Sequence, residues 1–215
     1  MAARKPPGRT VLSELRRRIV LNETAPGSVL TELGLATELA CSQAAVREAL
    51  LRLDAEGLVR RAGRQGTAVT DLDADTATEI LDLRRRIEVR AARRIARRVG
   101  GGDIARLMEQ AADMAAAAAE GDLWAVVEQD IAFHLALFRI SGLDAMAPIL
   151  ARCILHTQRF KLWAPWHQRP LAVTAHRHAP ILVALEARDG AALARELGIH
   201  LDTMVESHQA GSAVA

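Results

Sequence analysis

Tyrosine is absent from this chain, and aromatic residues make up only 3% of its 215 positions. Aromatic side chains favour strands, so their scarcity beside an abundance of Ala, Leu and Arg argues for a fold built from helices. Cysteine occurs twice, at Cys41 and Cys153. Residues so far apart form no CxxC pair and no disulfide framework, which points to a reduced, cytoplasmic setting. No apolar run approaches the length of a membrane span, so no membrane partner is expected. The opening segment MAARKPPGR lacks the apolar stretch of a secretory signal. Net charge is also small, at a formal +2.

What the chain does have is unevenly placed. Residues 1–70 carry 11 Lys and Arg against 7 Asp and Glu, while the remainder carries 17 against 19. All seven histidines lie in that second part. A basic N-terminal module suits a polyanion, and a histidine-bearing module suits a metal. Hydrophobic residues reach 50%, enough for the cores of two modest domains.

Residues 1–9 read as a disordered basic arm. Apolar positions at Val11, Leu12, Leu15 and Ile19 predict an amphipathic helix over 10–21, broken by Ala25-Pro26-Gly27-Ser28. A short helix over 31–40 follows. Ser42 is placed to cap a third helix that runs to Ala55 and stops at Gly57. Two short strands, 58–61 and 67–70, flank a turn at 63–66. The N-terminal domain, 10–72, is thus expected to be a winged helix-turn-helix. From 76 to 208 the sequence reads as six helices, near 76–99, 103–120, 122–141, 145–163, 174–187 and 190–208. The expected fold is mainly α, with an all-α antiparallel bundle behind the N-terminal domain and a flexible tail at 209–215.

In the third helix Val46, Ala49, Leu50 and Leu53 form the inward stripe. Gln43, Ala44 and Arg47 fall on the opposite side near the helix N-terminus, the end a recognition helix offers to the major groove. Arg pairs with guanine and Gln with adenine through two hydrogen bonds each. The hairpin carries Arg61, Arg64 and Gln65, suited to phosphates or a minor groove. For Arg47 alone, a solvated charge paired with nearby glutamates is the plainer reading. The helix-turn-helix and basic wing around it favour DNA.

In the second part, Asp130 and His134 lie four apart on one expected helix and share a face. His178 falls on the stripe Ile181, Leu182, Leu185, and His200 on the stripe Leu193, Leu197, Leu201, Met204. Both histidines stand eleven residues from Asp189 at the turn between their helices, so an antiparallel pairing puts them at one level. One carboxylate and three imidazoles therefore converge, a set that suits Zn, Ni, Mn or Fe. Isolated core histidines satisfied by local hydrogen bonds are the alternative. His176, two residues from His178, should face elsewhere. Arg84 lies at the edge of the stripe Ile80, Leu83, Ile87, Ala91, Ile95, with Glu88 one turn on, the arrangement of a surface ion pair. Arg85, Arg86, Arg93, Arg94, Arg97 and Arg98 read as solvated or as domain or dimer contacts.

The segment PGSVLTELGLATELACSQAAVREALLRLDAEGLVRRAGRQGTAV resembles the winged helix-turn-helix of the GntR family. Pro26-Gly27, Leu30, Glu32, Leu35-Ala36, Ser42, Val46 to Leu50, Leu53, Glu56 to Val59 and Gly66 carry the likeness. The resemblance implies DNA-facing positions at Ser42, Gln43, Ala44 and Arg47, with Gly66 in the wing. Gln43 stands where the family usually has Arg, and Ala45 where it has Pro. The first change removes a phosphate or guanine contact. The stretches DIAFHLALFRISG and HAPILVALEARDGAALARELGIHL are similar to the FCD domain of the FadR subfamily. That likeness implies a metal held by Asp130, His134, His178 and His200, and a carboxylate effector that Arg84, in LDLRRRIE, would clamp with two bonds. Leu143 stands where that domain often has Asn.

These features together imply a metabolite-responsive DNA-binding regulator, read as a repressor and not as an enzyme. It is expected to act as a homodimer on a pseudo-palindromic duplex. A metal-dependent hydrolase with an appended DNA- or protein-binding module is the alternative, since a catalytic metal also keeps an open ligand position. No second motif supplies a base or nucleophile, and Glu128 points away from the face of Asp130 and His134.

Overall fold

The computed structural model describes residues 10–61, 66–163 and 170–212, with side chains described as far as 203. The expected arm at 1–9 and the wing residues Arg64 and Gln65 lie outside the described residues, as does the side chain of Met204. The chain divides into two compact units between Asp73 and Ala74.

Among the described residues the first unit holds three helices, α1 (Val11–Val20), α2 (Glu32–Glu38) and α3 (Gln43–Ala55). Each starts at a hydroxyl residue whose side chain accepts a hydrogen bond from the first turn: Thr10 from Ser13, Thr31 from Gly34 and Ser42 from Ala45. The positive φ of Gly57, 76°, lets the chain leave α3 and turn into the hairpin. The strands are β1 (Val29–Leu30), β2 (Val59–Arg61) and β3 (Thr67–Val69), antiparallel in the order β1-β3-β2. In register, Val29 faces Ala68 and Arg60 faces Ala68 from the other side. β1 was not expected, because two residues are too short to show alternation. Leu15, Ile19, Val46, Leu50, Leu53, Leu58 and Val69 are buried and form the core.

Among the described residues the second unit contains seven α-helices, not the six expected. They are α4 (Ala74–Arg98), α5 (Gly101–Glu120), α6 (Leu123–Arg139), α7 (Ala147–Trp163), α8 (Leu171–His176), α9 (Ala179–Glu186) and α10 (Gly190–Ser212), with a 3-10 turn at Asp144–Met146 before α7. The helix expected over 174–187 is two. Pro180 has no N–H to offer the carbonyl of His176, and its ring would crowd that carbonyl, so the chain restarts with Pro180 in the first turn of α9. His178 stands at the N-cap position of α9 with helical φ and ψ, and its carbonyl accepts from Leu182, so it keeps the expected buried face with Ile181 and Leu185. α10 continues past 208 to Ser212. No helix among the described residues is long and apolar enough to cross a membrane.

The arginines of α4 are not simply solvated. Arg94 and Arg98 donate through Nε to the carbonyls of Ser141 and Ile140, the latter at 3.0 Å, and so fasten the C-terminal end of α6. Arg85 pairs with Asp202 of α10 at 2.7 Å. Arg84 is fully buried.

α10 packs along α4 more extensively than any other pair of elements. The contact begins at Gly190, where an added Cβ would stand 2.7 Å from the Cα of Arg93. Only a residue without a side chain admits that approach. Gly101, by contrast, has open space around it. Gly190→Ala should lower unfolding stability by about 1–3 kcal/mol, as overpacking does. Gly101→Ala should leave it unchanged or slightly raised. Urea unfolding of the metal-free protein checks the contrast, and equal stability of the two variants would contradict this close contact.

Candidate metal centre and nucleic-acid interface

Three elements of the second unit bring the four expected ligand residues inward. α6 turns Asp130 and His134 to one face, the cap of α9 brings His178, and α10 brings His200. All four are buried, His134 and His178 completely. One ligand atom from each lies within 4.8 Å of every other. Nε2 of His134 is 3.2 Å from Nε2 of His200, and Nε2 of His178 is 3.3 Å from Oδ1 of Asp130. The rings of His178 and His200 have centroids 4.7 Å apart, so the two residues do meet at one level. His176 is exposed and contacts the carbonyl of Ala172 instead.

These residues fit a metal ion on the structure's own terms. His178 Nε2 is buried and has no aligned hydrogen-bond partner, though it lies beside a carboxylate. Two imidazole Nε2 atoms facing each other satisfy at most one proton between them. With metal–nitrogen bonds of about 2.0–2.1 Å, adjacent corners of a tetrahedron lie roughly 3.3 Å apart, close to the His134–His200 and His178–Asp130 separations of 3.2 and 3.3 Å.

A second layer surrounds these four. Nδ1 of His134 lies 2.6 Å from Oε2 of Glu88. The other oxygen of Glu88 accepts from Nε of Arg84 at 2.6 Å. Arg84 also donates to Oγ1 of Thr157 at 2.9 Å, and Gln158 donates to Oδ2 of Asp130. The expected surface pair Arg84–Glu88 is thus a buried one, because α4 is enclosed by α7 and α10 and its polar pair faces the interior. Thr157 and Gln158 of α7 escaped the sequence reading. Their signal is a pair of polar residues three and four positions after Ile154, continuing the buried line of Leu150 and Ile154.

The charge states follow from burial. Burial holds the imidazole of His200 well below its ordinary range, and neighbouring His134 and His178 push the same way. For Asp130, burial acts to raise the carboxyl, but the contact with His178, together with His134 and Arg84, outweighs it and holds it well below the usual range. Glu88 is likewise raised by burial and, on balance, lowered to about 2 by His134 and Arg84. The centre therefore offers a carboxylate and a neutral imidazole near neutral pH.

In the first unit Ser42, Gln43, Ala44 and Arg47 are exposed together at the N-terminal end of α3. Arg47 forms a two-pronged pair with Glu32 of α2, through Nε at 3.0 Å and a terminal nitrogen at 2.7 Å. Its partner is thus on the preceding helix, which holds the guanidinium across the front of α3. Arg61 is exposed at the end of β2. Gly66 has φ of +100°, and an added Cβ would stand 3.2 Å from the carbonyl of Leu30, so glycine is required where the wing returns to β3.

Acid should destabilise the second unit. A buried neutral His200 gains its proton in the unfolded chain first, so folding stability falls as pH drops below about 6.5. The lowered carboxyls of Asp130 and Glu88 contribute stability above about pH 4 that is lost as pH falls toward their folded values. Both act in one direction. The melting temperature of the metal-free protein should fall steadily from pH 7 to pH 4, and a constant or rising value would contradict these charge states.

Comparison with known proteins agrees with the two-part organisation. The sequence pattern of the FCD domain matches residues 79–203, and that of bacterial regulatory proteins of the gntR family matches residues 7–69. The chain is 30% identical over 84% of its length to the Nta operon transcriptional regulator of Aminobacter aminovorans, covering 86% of that protein. It is 26% identical over 94% of its length to the HTH-type transcriptional repressor RspR of Escherichia coli, covering 89% of it. The solved structure of E. coli McbR/YncC shares the fold, with a TM-score of 0.77 at 22% identity over 93% of this chain and 95% of that one. These relatives are regulators and not enzymes, which removes the hydrolase alternative. The chain belongs to the GntR family of bacterial regulatory proteins, and is a transcription regulator with an N-terminal DNA-binding helix-turn-helix and a C-terminal FCD effector domain.

Proposed function

We propose that this regulator is a cytoplasmic homodimer that binds a pseudo-palindromic operator, and that its effector domain holds one divalent transition metal and a small carboxylate metabolite. We read it as a metabolite-responsive repressor. The observation that carries this reading is the convergence of Asp130, His134, His178 and His200 in a buried cluster with one ligand atom from each within 4.8 Å of the others. These four would hold the metal. An ion of this kind supplies Lewis acidity and residual positive charge, to which an anionic oxygen ligand is drawn.

Arg84 would clamp the carboxylate from α4. The effector would then touch α4 and, through the metal, α6, α9 and α10. A ligand shared between elements favours one arrangement of them over another, which is the condition for changing affinity at the DNA. At the operator, the N-terminal turn of α3 would enter the major groove. Arg47 would exchange Glu32 for a base edge, while Ser42, Gln43 and Ala44 contact the same groove or its phosphates. Arg61, Arg64, Gln65 and Gly66 would form the wing contact. A repressor named in one relative supports the direction of control here.

Three experiments test this reading. Arg47→Ala should weaken binding to the cognate operator by about 1–3 kcal/mol in a fluorescence titration. Binding equal to wild type would rule out the groove-docking role. In the effector domain, His178→Ala and His200→Ala should each abolish stoichiometric zinc binding by untagged protein, while His176→Ala keeps it. Loss of metal should also lower the melting temperature, since an ion bound by the folded state alone stabilises it. Wild-type occupancy in the His178→Ala, His200→Ala double variant would place any metal elsewhere. A mono- or dicarboxylate screen followed by melting temperature then tests the effector. Stabilisation should require metal and should weaken in Arg84→Met.

A further inference from the structure

Glu88 has both carboxylate oxygens engaged inside the bundle, and its side chain is 2% exposed. Oε1 takes the Nε–H of Arg84 and Oε2 lies 2.6 Å from Nδ1 of His134. We propose that Glu88 is the positioning residue of the metal centre: its carboxylate fixes the proton of His134 on Nδ1, so that Nε2 is presented as a free lone pair to the point where Asp130, His178 and His200 converge. This assignment rests on the metal reading above and adds to it the device that prepares one ligand.

The chemistry leaves little choice. A carboxylate that already accepts from a guanidinium is an acceptor at its second oxygen as well. The ring nitrogen facing it must therefore be the N–H, and the proton cannot also reside on Nε2 of a neutral imidazole. The hydrogen bond at one ring nitrogen decides what the other can ligate. His178 follows the same logic with a weaker partner, since its Nδ1 lies 3.2 Å from the carbonyl of Ala175. His134 differs in having a full negative charge behind it, which makes its Nε2 the more basic ligand.

The second oxygen of Glu88 gives this arrangement a further consequence. Arg84 and His134 draw on one carboxylate from opposite sides. An anion that engages Arg84 weakens that residue's hold on Glu88 and leaves more of its charge to His134. The effector clamp and the metal ligand are thereby joined through a single buried side chain, on the helix that packs along α10, and α10 carries His200.

Glu88→Gln is the direct test. The amide has one oxygen, which cannot serve Arg84 and His134 together. When its NH2 faces His134, Nδ1 becomes the acceptor and the proton moves to Nε2, where it blocks a metal. A buried Arg84 left without its counter-charge threatens folding, so the Arg84→Met, Glu88→Leu double variant removes the cation and the acceptor together, leaving Nδ1 with no partner to hold its proton. Nitrogen-15 chemical shifts of the histidine rings in metal-free protein read the tautomer, and competition with a chelator reads zinc affinity. Wild-type His134 should carry its proton on Nδ1. In both variants the Nε2–H form should dominate and the zinc dissociation constant should rise about 10–100-fold. Wild-type His134 protonated on Nε2 would overturn the assignment without any variant. So would variants that bind zinc within twofold of a zinc-binding wild type, and that outcome would leave the metal reading intact. A wild type that binds no zinc would overturn both.

Discussion

A charge placed inside a helical bundle must find its counter-charge there, and this constraint organises the effector domain. Arg84, Glu88, Asp130, His134, His178 and His200 are all buried in one unit. Isolated, any of the charged members would cost several kcal/mol in lost hydration. They are tolerated because they are connected. Arg84 meets Glu88, Glu88 meets His134, His134 faces His200, and His178 faces Asp130, which Gln158 holds from the other side. Such a network is poor evidence for stability, since an apolar core of the same volume would serve as well or better. Its presence fits the binding role proposed for it. Five helices contribute to it, and a ligand that alters one connection alters the balance among them.

The DNA-binding unit is governed by a smaller set of local decisions. Three hydroxyl caps start three helices, and Ser42 does so at the end of α3 that faces outward. The same residue therefore fixes the first turn of α3 and stands beside Gln43 and Ala44 on its exposed face. Arg47 is held by Glu32 at two points. The pair is exposed and of small energetic weight, but it limits the directions open to a long flexible side chain. In the docking proposed above, an arginine so held would lose less freedom on meeting a base. Gln43 and Ala45, which differ from the usual family residues, lie at the first and third positions of the same helix, so they alter the contact surface and not the fold.

Much of this was legible in the sequence, and the limits of legibility have physical causes. The helix-turn-helix announced itself through caps and an apolar stripe, both local features. Asp130 and His134 were visible as an i, i+4 pair, and the matched spacing of His178 and His200 about Asp189 foretold their meeting. Pro180 splits the expected helix just before this point, yet His178, at the N-cap of α9, keeps the inward direction that the stripe gave it. Arg84 was placed at a surface because its own helix shows only half of its surroundings. The residues that enclose it, such as Thr157, come from a helix more than seventy positions away. Gln158 was missed for the same reason. Periodicity reports which face of a helix is inward, and it says nothing of which other inward face will be opposite. The β1 strand was too short to carry any pattern.

The composition of the metal's coordination shell tests this account most directly. X-ray absorption at the zinc edge, on untagged protein loaded with one equivalent of zinc, reads the ligand atoms and distances without any substitution. The account predicts a shell of nitrogen and oxygen at about 2.0–2.1 Å with the outer scattering of three imidazoles, and no sulfur. Both cysteines are free, and Cys153 is buried in the same unit. A sulfur ligand at about 2.3 Å, or a shell with one imidazole or none, would contradict it.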